Sequence, residues 1–142
     1  MIPLLILIII VAWMYYNTRE PPELTEVKER YRILREHLKD TENEKFKMLH
    51  KCVPITGVLH TNGTIGSNTN KGSEIVVCIS GTVNEIFHVL IHELAHCTVD
   101  EYDHSDAYWK NYTELRDICV TIGIYEKIPT KTPFCGKHVQ DK

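Results

Sequence analysis

His92-Glu93-Leu94-Ala95-His96 has the form HExxH, and few pentapeptides restrict a chain more. A helix advances 3.6 residues per turn, so positions i and i+4 share a face, and two imidazoles placed there can grip one ion. Glu93 stands one step past the first histidine, where a carboxylate reaches a water on the ion more easily than the ion itself. The neighbouring residues support a buried helix. Ile86, Phe87, Val89, Leu90 and Ile91 are apolar, Thr82 and Glu85 form a T-x-x-E capping box, and Ser80 or Gly81 ends the strand before it. The expectation is a helix under a sheet with one polar edge facing a cleft. The implied chemistry is metal-assisted hydrolysis, with a peptide bond as the first candidate.

A catalytic zinc takes three protein ligands and leaves one position open. The third is sought downstream, where His104 follows His96 after an acidic stretch, Cys97 to Asp103, that suits a helix end and a reversal. Glu101 and Asp103 are rival donors. His104 is preferred because Asp106, Tyr108, Trp109 and Tyr112 follow it in a new helical pattern that could lock it against the first helix. His88 extends the row of His92 and His96 by another four residues. Three ligands on one straight helix would span about 12 Å, too far for bonds near 2 Å, so His88 is read as a satisfied or solvated histidine. Tyr102, Tyr108 and Tyr112 are read as packing residues. Cys97 is read as turned away from the metal by its helical direction.

HELAH, a spaced histidine and the aromatic pair in His104-Ser-Asp-Ala-Tyr108-Trp109 resemble the WLM and SprT-like group of zincin metallopeptidases. The likeness is nearer to WLM-type proteins of large DNA viruses, in which segments similar to Gly123-Ile124-Tyr125 and Phe134-Cys135-Gly136 recur. It covers about residues 53–136. Many WLM members leave five residues between the second and third ligands, and this chain has seven. The resemblance implies that His92, His96 and His104 bind Zn²⁺ and that Glu93 serves as general base and then general acid toward a protein or peptide substrate.

The remainder divides into three parts: residues 1–18 as a transmembrane signal-anchor, 19–52 as a helical stem packing on the domain, and 53–142 as the zincin-like core. Ile2 to Tyr16 is uncharged and closed by Trp13, Tyr15 and Tyr16, an interfacial aromatic cluster. As a helix it rises about 23 Å against a hydrocarbon layer of about 30 Å. A cleaved signal peptide fits less well, because no basic residue precedes the run and bulky residues occupy the cleavage region. After Pro21-Pro22, the residues Leu24, Val27, Tyr31, Leu34 and Leu38 form one helical stripe. A second helical piece is expected from Thr41, with Glu44 completing another capping box, carrying Phe46, Leu49 and His50 toward Cys52. Val53 to His60 and Glu74 to Ser80 read as strands, with a short edge strand at Thr64 to Ser67. Ile65 to Asn68 is the expected substrate ledge.

The fold expected is therefore α+β, with the active helix under a three- or four-stranded sheet, preceded by an anchor helix and an amphipathic helix. Length allows one small core. Arg19, Lys28, Arg30, Arg32 and Arg35 follow the apolar run and none precedes it, so the positive-inside rule places the catalytic part in the cytosol. Five cysteines without close CxxC pairs fit a reducing compartment. The sequons at Asn62 and Asn111, if used, favour the lumen or a secreted protein. A net charge of -3 gives no basic footprint, so no nucleic-acid partner is expected. The oligomeric state is left open. The competing reading is a non-catalytic zinc-binding membrane or virion structural protein, against which Glu93 argues.

Overall fold

Five apolar positions at 3-4-3-4 spacing pull one helix onto everything that follows. In the computed structural model, which describes residues 1–59 and 65–141, Leu24, Val27, Tyr31, Leu34 and Leu38 are the buried face of α2, Pro22–Asp40. Ahead of it, α1, Ile2–Thr18, buries no residue and meets α2 at a bend of 53°. Its isoleucines and leucines stand in the open, an apolar surface that calls for an apolar partner. No single helix among the described residues is long and apolar enough to cross a membrane, though α1 and α2 pass together by length and composition as a bent pair.

The helix expected from Thr41 is absent, for a local reason. The Thr41 hydroxyl donates back to the carbonyl of His37 at 2.8 Å and so completes the end of α2 instead of opening a new helix. Asn43 Oδ1 then accepts from the amide of Phe46, and only a short 3-10 turn, Lys47–His50, forms. Phe46 and Leu49 are buried all the same.

Three strands follow: β1, Ile55–Val58; β2, Gly66–Thr69; and β3, Glu74–Cys78. The sheet order is β1-β3-β2, with β1 parallel and β2 antiparallel to the central strand. Alternation in β3 buries Ile75 and Val77 on one face. The helix α3, Val83–His96, packs against β2 and β3 and also touches α2 and α4. Its start is the expected capping box, with the Thr82 side chain accepting from Glu85 N and the Glu85 side chain accepting from Thr82 N. The helix α4, Asp106–Thr121, is capped by the Ser105 hydroxyl. A terminal hairpin of β4, Thr132–Phe134, and β5, Lys137–Val139, closes the domain. The α+β architecture and the three-stranded sheet match the expectation, and the hairpin is an addition to it.

The cysteine reading needs correction. Cys78 at the end of β3 and Cys135 in the hairpin turn form a disulfide across 57 residues, which no short spacing signals. Such a bond fits an oxidising compartment and removes the cysteine argument for a reducing one. Cys119 is a buried thiol, Cys97 is half-buried and Cys52 is exposed. Of the two sequons, Asn62 lies outside the described residues, as do His60 and Thr64 of the expected strands. Asn111 lies within α4, where its amide donates to the Thr98 hydroxyl at 3.0 Å, an engagement that disfavours glycan attachment.

Candidate metal centre

Helical spacing sets His92 and His96 one turn apart on α3, and the chain then reverses so that His104 returns to them from the approach to α4. His104 Nε2 lies 3.2 Å from both His92 Nε2 and His96 Nε2. A tetrahedral zinc with bonds of about 2.0–2.1 Å holds its nitrogen ligands about 3.3 Å apart, so this triangle fits one such ion. Three neutral imidazoles also gain little from each other at this range. A cation shared by their lone pairs would satisfy all three. Burial, then the neighbouring His96, His104 and His88, hold His92 down at about 3, and burial followed by His104 and Lys71 lowers His96 as well. Both rings are therefore neutral at physiological pH, the state a metal requires. His92, His96 and His104 are thus a group able to hold a metal ion. The rivals Glu101 and Asp103 are exposed and outside the cluster.

Aromatic packing fixes the rings. His92 lies against Tyr108, Trp109 and Tyr112, and His104 packs on Tyr108 and on Trp109. The Tyr108 hydroxyl donates to the carbonyl of His92 at 2.9 Å, which ties α4 to the turn of α3 that carries the first histidine. The aromatic run after His104 is thus a support for the cluster, as its helical spacing suggested.

Glu93 is buried at 7% exposure beside this triangle. No side chain among the described residues donates to its carboxylate, and burial pushes it up to about 7. An acid tuned to that range can both take and return a proton near neutral pH. The edge strand sets its surroundings. A Cβ on Gly66 would lie 2.5 Å from Val89 Cγ1 and 3.2 Å from Glu93 Oε1, so only glycine lets β2 approach the helix this closely. Two positions on, Asn68 donates to the carbonyl of Glu93 at 2.8 Å and to Cys97 Sγ at 3.1 Å, turning the thiol toward the sheet.

Spacing rules did not single out Lys71. Its ammonium donates to the carbonyls of His96, Val99 and Glu101 at 3.1, 2.6 and 2.5 Å, and it lies over the Tyr102 ring. The unpaired carbonyls at a helix C-terminus attract a cation, and this one also holds the loop leading to His104. Lys71→Met should therefore weaken metal retention about 10- to 100-fold while leaving all three imidazoles in place. Chelator competition measures it.

His88 is a satisfied core residue, as expected. Tyr112 and Tyr125 donate their hydroxyl protons to Asp141 at 2.5 Å each, so His88 Nδ1 donates to the Tyr125 oxygen at 2.9 Å. Asp141 also accepts from the amide of Ile128 at 2.8 Å. Burial alone would raise the Asp141 carboxyl, but the bonds from His88, Tyr112, Tyr125 and Ile128 outweigh it and hold it well below the usual carboxylate range. A carboxyl lowered by folding stabilises the fold above its unfolded value of about 3.9, and that contribution fades as pH falls through the folded value. Asp141→Asn should lower the urea midpoint at pH 7. The gap from wild type should shrink steadily as the pH is taken below about 4.

Fold and site together define a small α+β domain with a three-histidine group, on and beside an HExxH helix, that is able to hold a metal ion. No family model matches the chain. It is 29% identical over 97 residues to uncharacterized protein R325 of Acanthamoeba polyphaga mimivirus, a match spanning 58% of this chain and 49% of the viral protein. The chain thus matches about half the length of that relative. A solved structure, the metallopeptidase zymogen abylysin of Pyrococcus abyssi, overlaps 68% of this chain and 97% of its own at a TM-score of 0.42 and 22% identity. An overlap of that size leaves the chemistry to be read from this chain's own residues.

Proposed function

We propose that the protein is a membrane-anchored zinc metallopeptidase of the WLM or SprT-like zincin kind, and that it hydrolyses peptide bonds. The observation that carries this reading is the 3.2 Å spacing of His104 Nε2 from the other two Nε2 atoms, beside a buried Glu93. His92, His96 and His104 would hold the zinc. When bound, zinc polarises the substrate carbonyl and makes water acidic enough to ionise near neutral pH. Glu93 accepts the proton of the attacking water and returns it to the departing amine nitrogen. Gly66 and Asn68 place the edge strand beside the cluster, where an extended substrate can pair with it. A structural zinc site would have no use for an unpaired acid kept buried at this position, which favours catalysis over the structural reading.

Exposed apolar residues along α1, with Trp13, Tyr15 and Tyr16 toward its end, support the anchor. The basic residues after it favour a cytosolic domain, whereas the Cys78–Cys135 bond favours an oxidising compartment. Thiol labelling in cells producing the chain decides between them. The activity itself is tested with denatured proteins as substrate. Cleavage should stop on chelation and return with added zinc, and cleavage indifferent to chelation would contradict it.

A further inference from the structure

Between α2 and the chain entering β1 lies a cavity of about 640 Å³, and no residue of the metal centre lines it. Tyr31, Val53, Pro54 and Ile55 wall it, beside the exposed thiol of Cys52 and a row of charges along α2. The acids of that row are already matched. Glu20 accepts from Lys28 and from Thr25, Glu26 from Arg30 at 3.1 Å and Glu29 from Arg32 at 2.5 Å. Arg35 is the cation left over. Among the described residues no acid meets its guanidinium, its Nε is buried without a hydrogen-bond partner, and it lies over the Tyr31 ring at 4.8 Å. A buried donor left unmade costs free energy, so a cavity that keeps one calls for an acceptor from outside.

We propose that this cavity binds the carboxyl-terminal end of an extended peptide, with the terminal carboxylate on Arg35 and the preceding main chain paired to Ile55 of β1. Neither contact involves the metal centre. The Pro54 and Val58 carbonyls accept from the amides of Ile75 and Ile79 at 2.9 Å each, so by the alternation of a strand the N–H and C=O of Ile55 face away from β3. Val53, on that same side, gives its N–H to the Tyr31 hydroxyl at 2.9 Å. Ile55 has no such partner among the described residues. Direction follows from the packing of α2. A Cβ on Gly57 would touch Leu24, and Tyr31 reaches Val53 and the Lys51 carbonyl, so α2 runs antiparallel to β1. A peptide laid antiparallel to β1 therefore ends beside Arg35 and Cys52.

Charge sets the class of ligand. One guanidinium fork matches the two oxygens of a single carboxylate, whereas a doubly charged phosphate would face Glu20, Glu26 and Glu29 across the same space. Val53 and Ile55 offer an apolar wall to an aliphatic last residue.

The test follows the fluorescence anisotropy of a short labelled peptide of alternating threonine and valine, ending in leucine. It is titrated with the full chain in detergent, carrying Glu93→Gln so that the probe is not cut. The free acid should bind at least about tenfold more tightly than the same peptide amidated at its carboxyl end, a comparison that needs no change at the cavity. Arg35→Gln, checked for folding by circular dichroism, should remove that difference by weakening the acid alone. Bound acid should also slow alkylation of Cys52 by N-ethylmaleimide, read by mass spectrometry. Sodium octanoate, a carboxylate with no main chain to pair, should fail to displace the peptide at equal concentration. Equal binding of acid and amide, no binding below about 1 mM, or full binding of the acid by folded Arg35→Gln overturns this inference. Unchanged alkylation of Cys52 in the bound protein, or displacement by octanoate, overturns it as well.

Discussion

Glu93→Gln should lower kcat/KM for peptide hydrolysis about 10²- to 10⁴-fold while the protein still binds one zinc. The amide keeps the shape of the carboxylate and loses the basic oxygens, so the change removes proton transfer and little else. Stability provides the internal control. A carboxyl raised by burial to about 7 contributes stability that is fully present below its unfolded value near 4.3 and lost as pH rises through the folded value. Metal-free Glu93→Gln should therefore be at least as stable as metal-free wild type at pH 8, and denaturant midpoints on both proteins check it. An inactive variant that is also unfolded would point to a structural role for the acid. Equal cleavage by wild type and variant would remove Glu93 from the reaction.

Cys78→Ser should cost about 4 kcal/mol, a large part of the roughly 5–15 kcal/mol by which domains of this kind are folded. The size follows from the 57-residue separation, because closing so long a loop takes much freedom from the unfolded chain. Both sulfurs are buried, so slow reduction is expected until the hairpin opens. Urea unfolding with and without reductant measures the effect in wild type, and Cys78→Ser should be indifferent to reductant. Identical urea midpoints with and without reductant would mean that the bond contributes nothing to the fold.

What the sequence made visible was local and periodic. Thr82 and Glu85 are three apart and cap α3, the α2 stripe is spaced for one helical face, and His92 and His96 are one turn apart, so each could be read inside a short window. His104 was reachable because the acidic reversal and the aromatic run after it carry their own signals. The remainder depends on distant partners. Lys71 acts through three backbone carbonyls, which have no side-chain signature. Asp141 finds Tyr112, Tyr125 and His88 across 16 to 53 positions, and Cys78 finds Cys135 across a whole domain. Thr41 shows the opposite failure. Its spacing to Glu44 matched a helix start, yet the preceding helix had already taken its hydroxyl.

All of this chemistry depends on three imidazoles, two on α3 and one from the approach to α4, sharing one cation. Metal analysis of the purified full chain tests it most directly, run beside His92→Ala and with circular dichroism on both to confirm folding. Close to one zinc per wild-type chain is expected, and almost none in the folded variant. Wild-type protein that takes up no zinc, or a folded His92→Ala that retains it in full, would contradict it.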